Sequence, residues 1–211
     1  MIDRLAYPSR LRGFMRHFLA SAVALAVLSL CASVARAETL TYGYDELGRL
    51  VGAVSDRGPA AITTSIYLYD KADNRSVVFV AKADATKRPV FTFFEPSRGH
   101  FYTLGFMEGH NAGMDAAGPT FYLYTSGGSG RYALYRCYDA AGGNHFVTAS
   151  SNCEGQTVEG ILGYSAASNA AGLTELHRCF RASDTDHLVT ANMAECTNYG
   201  YAYVQSLGFV P

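Results

Sequence analysis

The sequence contains no tryptophan, few charged residues (17%) and only five cysteines in 211 residues. The formal charge is −1, which removes nucleic acid and anionic membrane as obvious partners. No apolar run reaches the roughly 20 residues that span a bilayer. Gly-x-Ser-x-Gly, His-Glu-x-x-His and Gly-x-x-x-x-Gly-Lys are all missing, so the common hydrolase, metalloprotease and phosphate-loop signatures are excluded. What is present is apolar and aromatic: 49% hydrophobic residues and 15 tyrosines, too much for a disordered chain.

The amino terminus reads as an export signal. Arg4, Arg10, Arg12 and Arg16 precede the apolar run Phe18–Leu30, and Ala35-Arg36-Ala37 is the small-x-small pattern of a cleavage site. Cleavage is expected before Glu38, with Met1 or Met15 as the start. Cys31 follows Ser29-Leu30, a poor lipoprotein site. Residues 1–37 hold five Arg and one Asp, leaving a mature chain of 12 basic and 17 acidic residues, net −5. Its remaining cysteines are Cys137, Cys153, Cys179 and Cys196. An even count in an exported chain points to two disulfides, and the location expected is periplasmic or extracellular, without stable membrane insertion.

Internal repetition dominates the rest. A short motif occurs as Tyr42-Gly43-Tyr44-Asp45-Glu46-Leu47-Gly48-Arg49 and again, 25 residues on, as Tyr67-Leu68-Tyr69-Asp70-Lys71-Ala72-Asp73-Asn74. Each copy alternates aromatics at pleat spacing and then turns, which predicts paired β-hairpins over residues 38–85. Tyr-x-Tyr-Asp resembles the YD repeats of Rhs-type bacterial surface and toxin proteins. Asp73 departs from the glycine expected in the second turn. Two copies enclose nothing, so the resemblance implies hairpins and not a toxin shell.

A longer motif fills residues 88–211, in units of about 88–130, 131–172 and 173–211. Leu134-Tyr135-Arg136-Cys137-Tyr138 with Asn144-His145-Phe146-Val147-Thr148 matches Leu176-His177-Arg178-Cys179-Phe180 with Asp186-His187-Leu188-Val189-Thr190. Val90-Phe91-Thr92-Phe93-Phe94 with Gly99-His100-Phe101-Tyr102-Thr103 is the divergent first copy, one turn residue shorter. Each unit predicts two strands, a small polar or helical stretch and a closing strand. No unit of this size buries a core alone. The expected fold is all-β: hairpins followed by a closed three-fold, β-trefoil-like domain, because closure removes strand edges. An open repeat stack is the alternative.

These units resemble a family of exported bacterial repeats known as domain of unknown function 5648. The resemblance implies an accessory binding role and no catalytic residues. Cys137 and Cys179 share one repeat position and Cys153 and Cys196 another, while copy one lacks both. Pairing within units, Cys137–Cys153 and Cys179–Cys196, is therefore expected; the spacings lack a zinc knuckle. His100, His145 and His187 open three equivalent strands, where imidazole is expected to bond the turn backbone; convergence on an axis as a zinc site is the sharper alternative. Strand alternation assigns Phe101, Phe146 and Leu188 to the core. Glu154, Glu159, Glu175 and Glu195 form no evident glycosidase pair.

No catalytic residue, metal or cofactor is expected. The reading is an exported binding or adhesion module for envelope glycan or a surface protein, with Arg136 and Arg178 as the candidate ligand contacts. The ricin-type Gln-x-Trp signature is absent. An orphan relative of an Rhs toxin-delivery protein and an enzyme with an unrecognised site are the alternatives. Oligomeric state is left open.

Overall fold

A computed structural model describes residues 37–211. The expected signal segment lies outside the described residues, apart from Ala37. The described chain is all-β with two short helices.

The amino-terminal hairpins form one antiparallel meander of β1 (Thr39–Tyr44), β2 (Leu50–Asp56), β3 (Ile62–Tyr69) and β4 (Arg75–Lys82). The two hairpins are built alike. Register shifts at Gly43/Tyr44 in one and at Leu68/Tyr69 in the other, the same repeat position. Asp45 accepts the backbone N–H groups of Leu47 and Arg49, and Asp70 accepts those of Ala72 and Asn74. A carboxylate that ties its own turn in this way is why Asp recurs there. Asp73 takes φ 64°, where the first hairpin has Gly48 at φ 75°. The turn survives the loss of glycine because Asp tolerates the left-handed region better than most residues.

The three repeat units follow. Unit one has β5 (Lys87–Glu95), β6 (Gly99–Thr103), α1 (Phe106–Asn111) and β7 (Asp115–Tyr124). Unit two has β8 (Arg131–Asp139), β9 (Asn144–Thr148), a 3-10 turn at Cys153–Gly155 and β10 (Thr157–Ala166). Unit three has β11 (Thr174–Arg181), β12 (Asp186–Thr190), α2 (Met193–Asn198) and β13 (Ala202–Val210). In each unit the middle strand of the sheet is the first in sequence, paired with its hairpin partner on one side and the closing strand on the other. The closing strands meet at Tyr124–Tyr164 and Ala166–Phe209.

One core runs between the units. Val90, Leu134 and Leu176 come from first strands; Tyr102, Val147 and Val189 from second strands; Leu123, Leu162 and Leu207 from closing strands. Phe101, Phe146 and Leu188 are also buried, but on the other face of their strands, in three satellite clusters. The central core thus takes the residue after each of them, on the same face as the histidines. In units two and three the satellite clusters contain the disulfides, Cys137–Cys153 and Cys179–Cys196, with Cα separations of 5.7 and 6.0 Å. In unit one Phe93 and Phe106 replace sulfur, and the hairpin sheet covers them with Ile66 and Ala81. A Cβ at Gly52 would overlap the Phe106 ring, so glycine is what lets β2 lie against α1.

Candidate functional site

The repeat-signature residues first meet one another at the seams between units. In every unit the threonine ending the second strand donates its hydroxyl to a glutamate in the following helix or turn: Thr103 to Glu108, Thr148 to Glu154 and Thr190 to Glu195. Arg136 of unit two crosses to Glu108 of unit one at 2.8 Å, while its Nε donates to Glu159 at 2.7 Å. Arg178 of unit three crosses to Glu154 of unit two at 2.5 Å. Each guanidinium also lies over the preceding unit's aromatic ring, Arg136 over Phe101 at 4.8 Å and Arg178 over Phe146 at 4.5 Å. Burial opposes the charged form of both Glu108 and Glu154, but the arginine and threonine donors outweigh it and hold each carboxyl below its ordinary range.

All three guanidinium nitrogens of Arg136 and of Arg178 have internal acceptors. A ligand reaching either one would compete with carboxylates already bound there. This geometry assigns both arginines to the framework, as clasps between units. The sequence marked them as conspicuous without revealing their partners; the glutamates five or six residues after each repeat threonine were the available signal.

The histidines occupy the same seams and form no metal set. No group of three or more His, Cys, Asp or Glu side chains among the described residues is arranged to hold a metal ion. His145 packs on Phe101 of unit one at 4.8 Å, and His187 packs on Phe146 of unit two at 5.1 Å. Within their own units His145 Nε2 meets Glu159 at 3.3 Å and His187 Nδ1 accepts Arg178 Nε at 3.4 Å, so their partners are side chains and not the turn backbone. Burial, aided by Arg178, holds His187 down at about 4.

The third seam is built differently because Thr92 replaces the arginine. Opposite Thr92, Tyr102 stands where the other units have valine, and its hydroxyl accepts the backbone N–H of Val189 in unit three at 2.7 Å. Asp186 of unit three accepts both the backbone N–H and the Nδ1–H of His100, at 2.8 and 2.7 Å. The same carboxylate accepts Tyr201 Oη at 2.5 Å and the His187 N–H at 2.8 Å. Burial raises the cost of its charge, yet the His100 and Tyr201 donors overcome that and leave its carboxyl far below the usual range. Units three and one are therefore in contact through a buried, fully bonded carboxylate.

With the seams accounted for, the surface offers a different candidate. A cavity of about 840 Å³ opens where the hairpin sheet meets unit one. Its floor is Phe93, Phe106 and Met114, buried in the unit-one cluster. Its rim is Tyr44, 55% exposed, and Leu47, 71% exposed. Arg49 stacks over the Tyr69 ring at 4.6 Å and is itself gripped by Asp45 and Asp73. Asp45, Glu46 and Asp115 place carboxylates around this aromatic floor. The arrangement can stack a flat or ring-shaped group and accept its hydroxyl or amide donors; it contains no nucleophile held by a base. Sequence reading missed it because its walls come from segments far apart in the chain.

Residues 67–158 match the family described as Domain of unknown function (DUF5648). The matched stretch begins near the end of β3 and ends in β10, so it takes in β4, unit one and most of unit two but none of unit three. No YD-repeat family matches the hairpin region. No curated protein and no solved structure matches the chain.

Proposed function

We propose that the protein is an exported, non-catalytic binding module whose ligand, an envelope glycan, seats in the tyrosine-rimmed groove. Two disulfides suit an oxidising compartment, and no helix among the described residues is long and apolar enough to cross a membrane. The closed, trefoil-like reading of the three units supplies a rigid body for such a groove. The observation that carries the proposal is the pairing of an exposed Tyr44 ring with an aromatic floor and flanking carboxylates. Apolar faces beside hydrogen-bond acceptors are what sugar rings require.

Tyr44→Ala with Leu47→Ala tests it, since both side chains are exposed and the fold does not depend on them. Retention on immobilised envelope polysaccharide should weaken roughly five- to tenfold, about 1 kcal/mol for a lost stacking face. Unchanged retention by the folded variant overturns the groove. Loss of binding to a surface protein, with polysaccharide never retained, replaces the glycan with a protein partner.

A further inference from the structure

The hairpin sheet ends in two strands, β1 and β4, that pair with nothing further among the described residues. β4 has charged ends, Arg75 and Lys82, and a register shift at Ser76, but between them and along β1 apolar side chains lie exposed. Leu40 and Tyr42 on β1 are 55% and 51% exposed, and Val78 and Val80 on β4 are 46% and 56% exposed. All four lie on the sheet face turned away from unit one. Tyr42, Ala53, Ser65 and Val80 stand opposite one another across successive strands, so one outer row runs from edge to edge.

We propose that β4 of one molecule pairs with β1 of a second copy, extending the sheet head to tail. The junction already exists once within the chain. The two hairpins are repeats, and they join through β2 and β3 with Gly52 opposite Ile66, Ala53 opposite Ser65 and Val54 opposite Thr64. Moving β2 forward and β3 back by the 25-residue repeat spacing gives the matching intermolecular register. Val77 then faces Thr41, Val78 faces Leu40 and Val80 faces Glu38 of the next copy.

That register is chemically sensible on both counts that decide a strand pair. Val78 meets Leu40 directly, covering two of the exposed apolar side chains. Lys82, two residues beyond Val80, becomes the diagonal neighbour of Glu38, an opposite-charge pair. Each added copy advances the sheet by about 19 Å, four strand spacings. The ordinary twist of 20–25° per strand turns it by roughly a quarter circle. Successive three-unit bodies therefore swing around the sheet and do not pile onto one side. The contact is heterologous, so assembly has no built-in stopping point.

Sedimentation velocity on the purified full chain, over rising concentration, should show mass growing past the dimer. Two variants isolate the ends: Leu40→Lys with Tyr42→Lys blocks β1, and Val78→Lys with Val80→Lys blocks β4. Circular dichroism matching the parent establishes that each is folded. Each variant alone should be monomeric, whereas an equimolar mixture should form a dimer and stop, because one intact β4 edge meets one intact β1 edge. A parent chain that stays monomeric at every concentration overturns the proposal. So does a parent that stops at a dimer, or a mixture that remains monomeric while the parent associates. Groove binding by the monomeric variants is independent of all these outcomes.

Discussion

Replacing Asp186 with Asn tests whether units three and one are truly locked together. The carboxylate is 1% exposed and accepts four donors: the His100 N–H and Nδ1–H, the His187 N–H and the Tyr201 hydroxyl. Asn keeps the volume but offers one oxygen and presents an NH₂ to groups that are themselves donors. At least one buried donor loses its acceptor, at about 1–3 kcal/mol, and the charge-assisted bond to His100 is lost as well. A total of roughly 3 kcal/mol follows, within the range for breaking a buried pair. In urea, at an m value of about 2 kcal/mol/M, the midpoint should fall by about 1.5 M with disulfides intact. The carboxyl is depressed in the folded state, so its contribution is present above the unfolded value of about 3.9 and disappears as pH falls below it. The gap between parent and variant should therefore narrow at pH 2–3. Pairing Asp186→Asn with His100→Ala in a double-mutant cycle should show coupling above about 1 kcal/mol. A midpoint shift worth less than about 0.5 kcal/mol, or additive effects, would mean that the seam does not hold the units together.

Phe146→Ala should cost about 3–5 kcal/mol by denaturant melting, because its ring is buried beneath Arg178 and against His187; a cost under about 1 kcal/mol would contradict that packing. Non-reducing peptide mapping should recover Cys137–Cys153 and Cys179–Cys196, and reduction should remove about 3 kcal/mol per loop on the chain-entropy account; links between units would refute the unit boundaries. His187 sits at about 4 in the folded protein and near 6.5 when unfolded, so the unfolded chain binds more protons between those values and stability falls as pH drops through that window. Melting between pH 7 and 4 should show a loss of about 3 kcal/mol from this group, and His187→Gln should reduce that slope; an unaltered slope would locate the proton uptake elsewhere.

Local rules carried a great deal of this protein. Alternating aromatics, Asp-led turns and the repeated His-x-x-Thr strand endings determined an all-β chain with its hairpins, because strand pairing and turn chemistry depend on neighbours in sequence. The cysteines were legible for the same reason: both members are missing from unit one together, as a pair within a unit must be. The clasps were not legible. Arg136 and Arg178 read in the sequence as candidate ligand contacts, and only packing brings Glu108 and Glu154 of the preceding units to them. Asp186 reads as one more turn residue until packing sets it beside His100, 86 positions earlier. Faces were decided at the same level: a strand pattern says that two sets of side chains point oppositely, but not which set meets the shared core. Here both are buried, Tyr102, Val147 and Val189 at the centre and Phe101, Phe146 and Leu188 in the satellites. The groove belongs wholly to tertiary structure, since its rim comes from the first hairpin and its floor from unit one, and no local preference joins them.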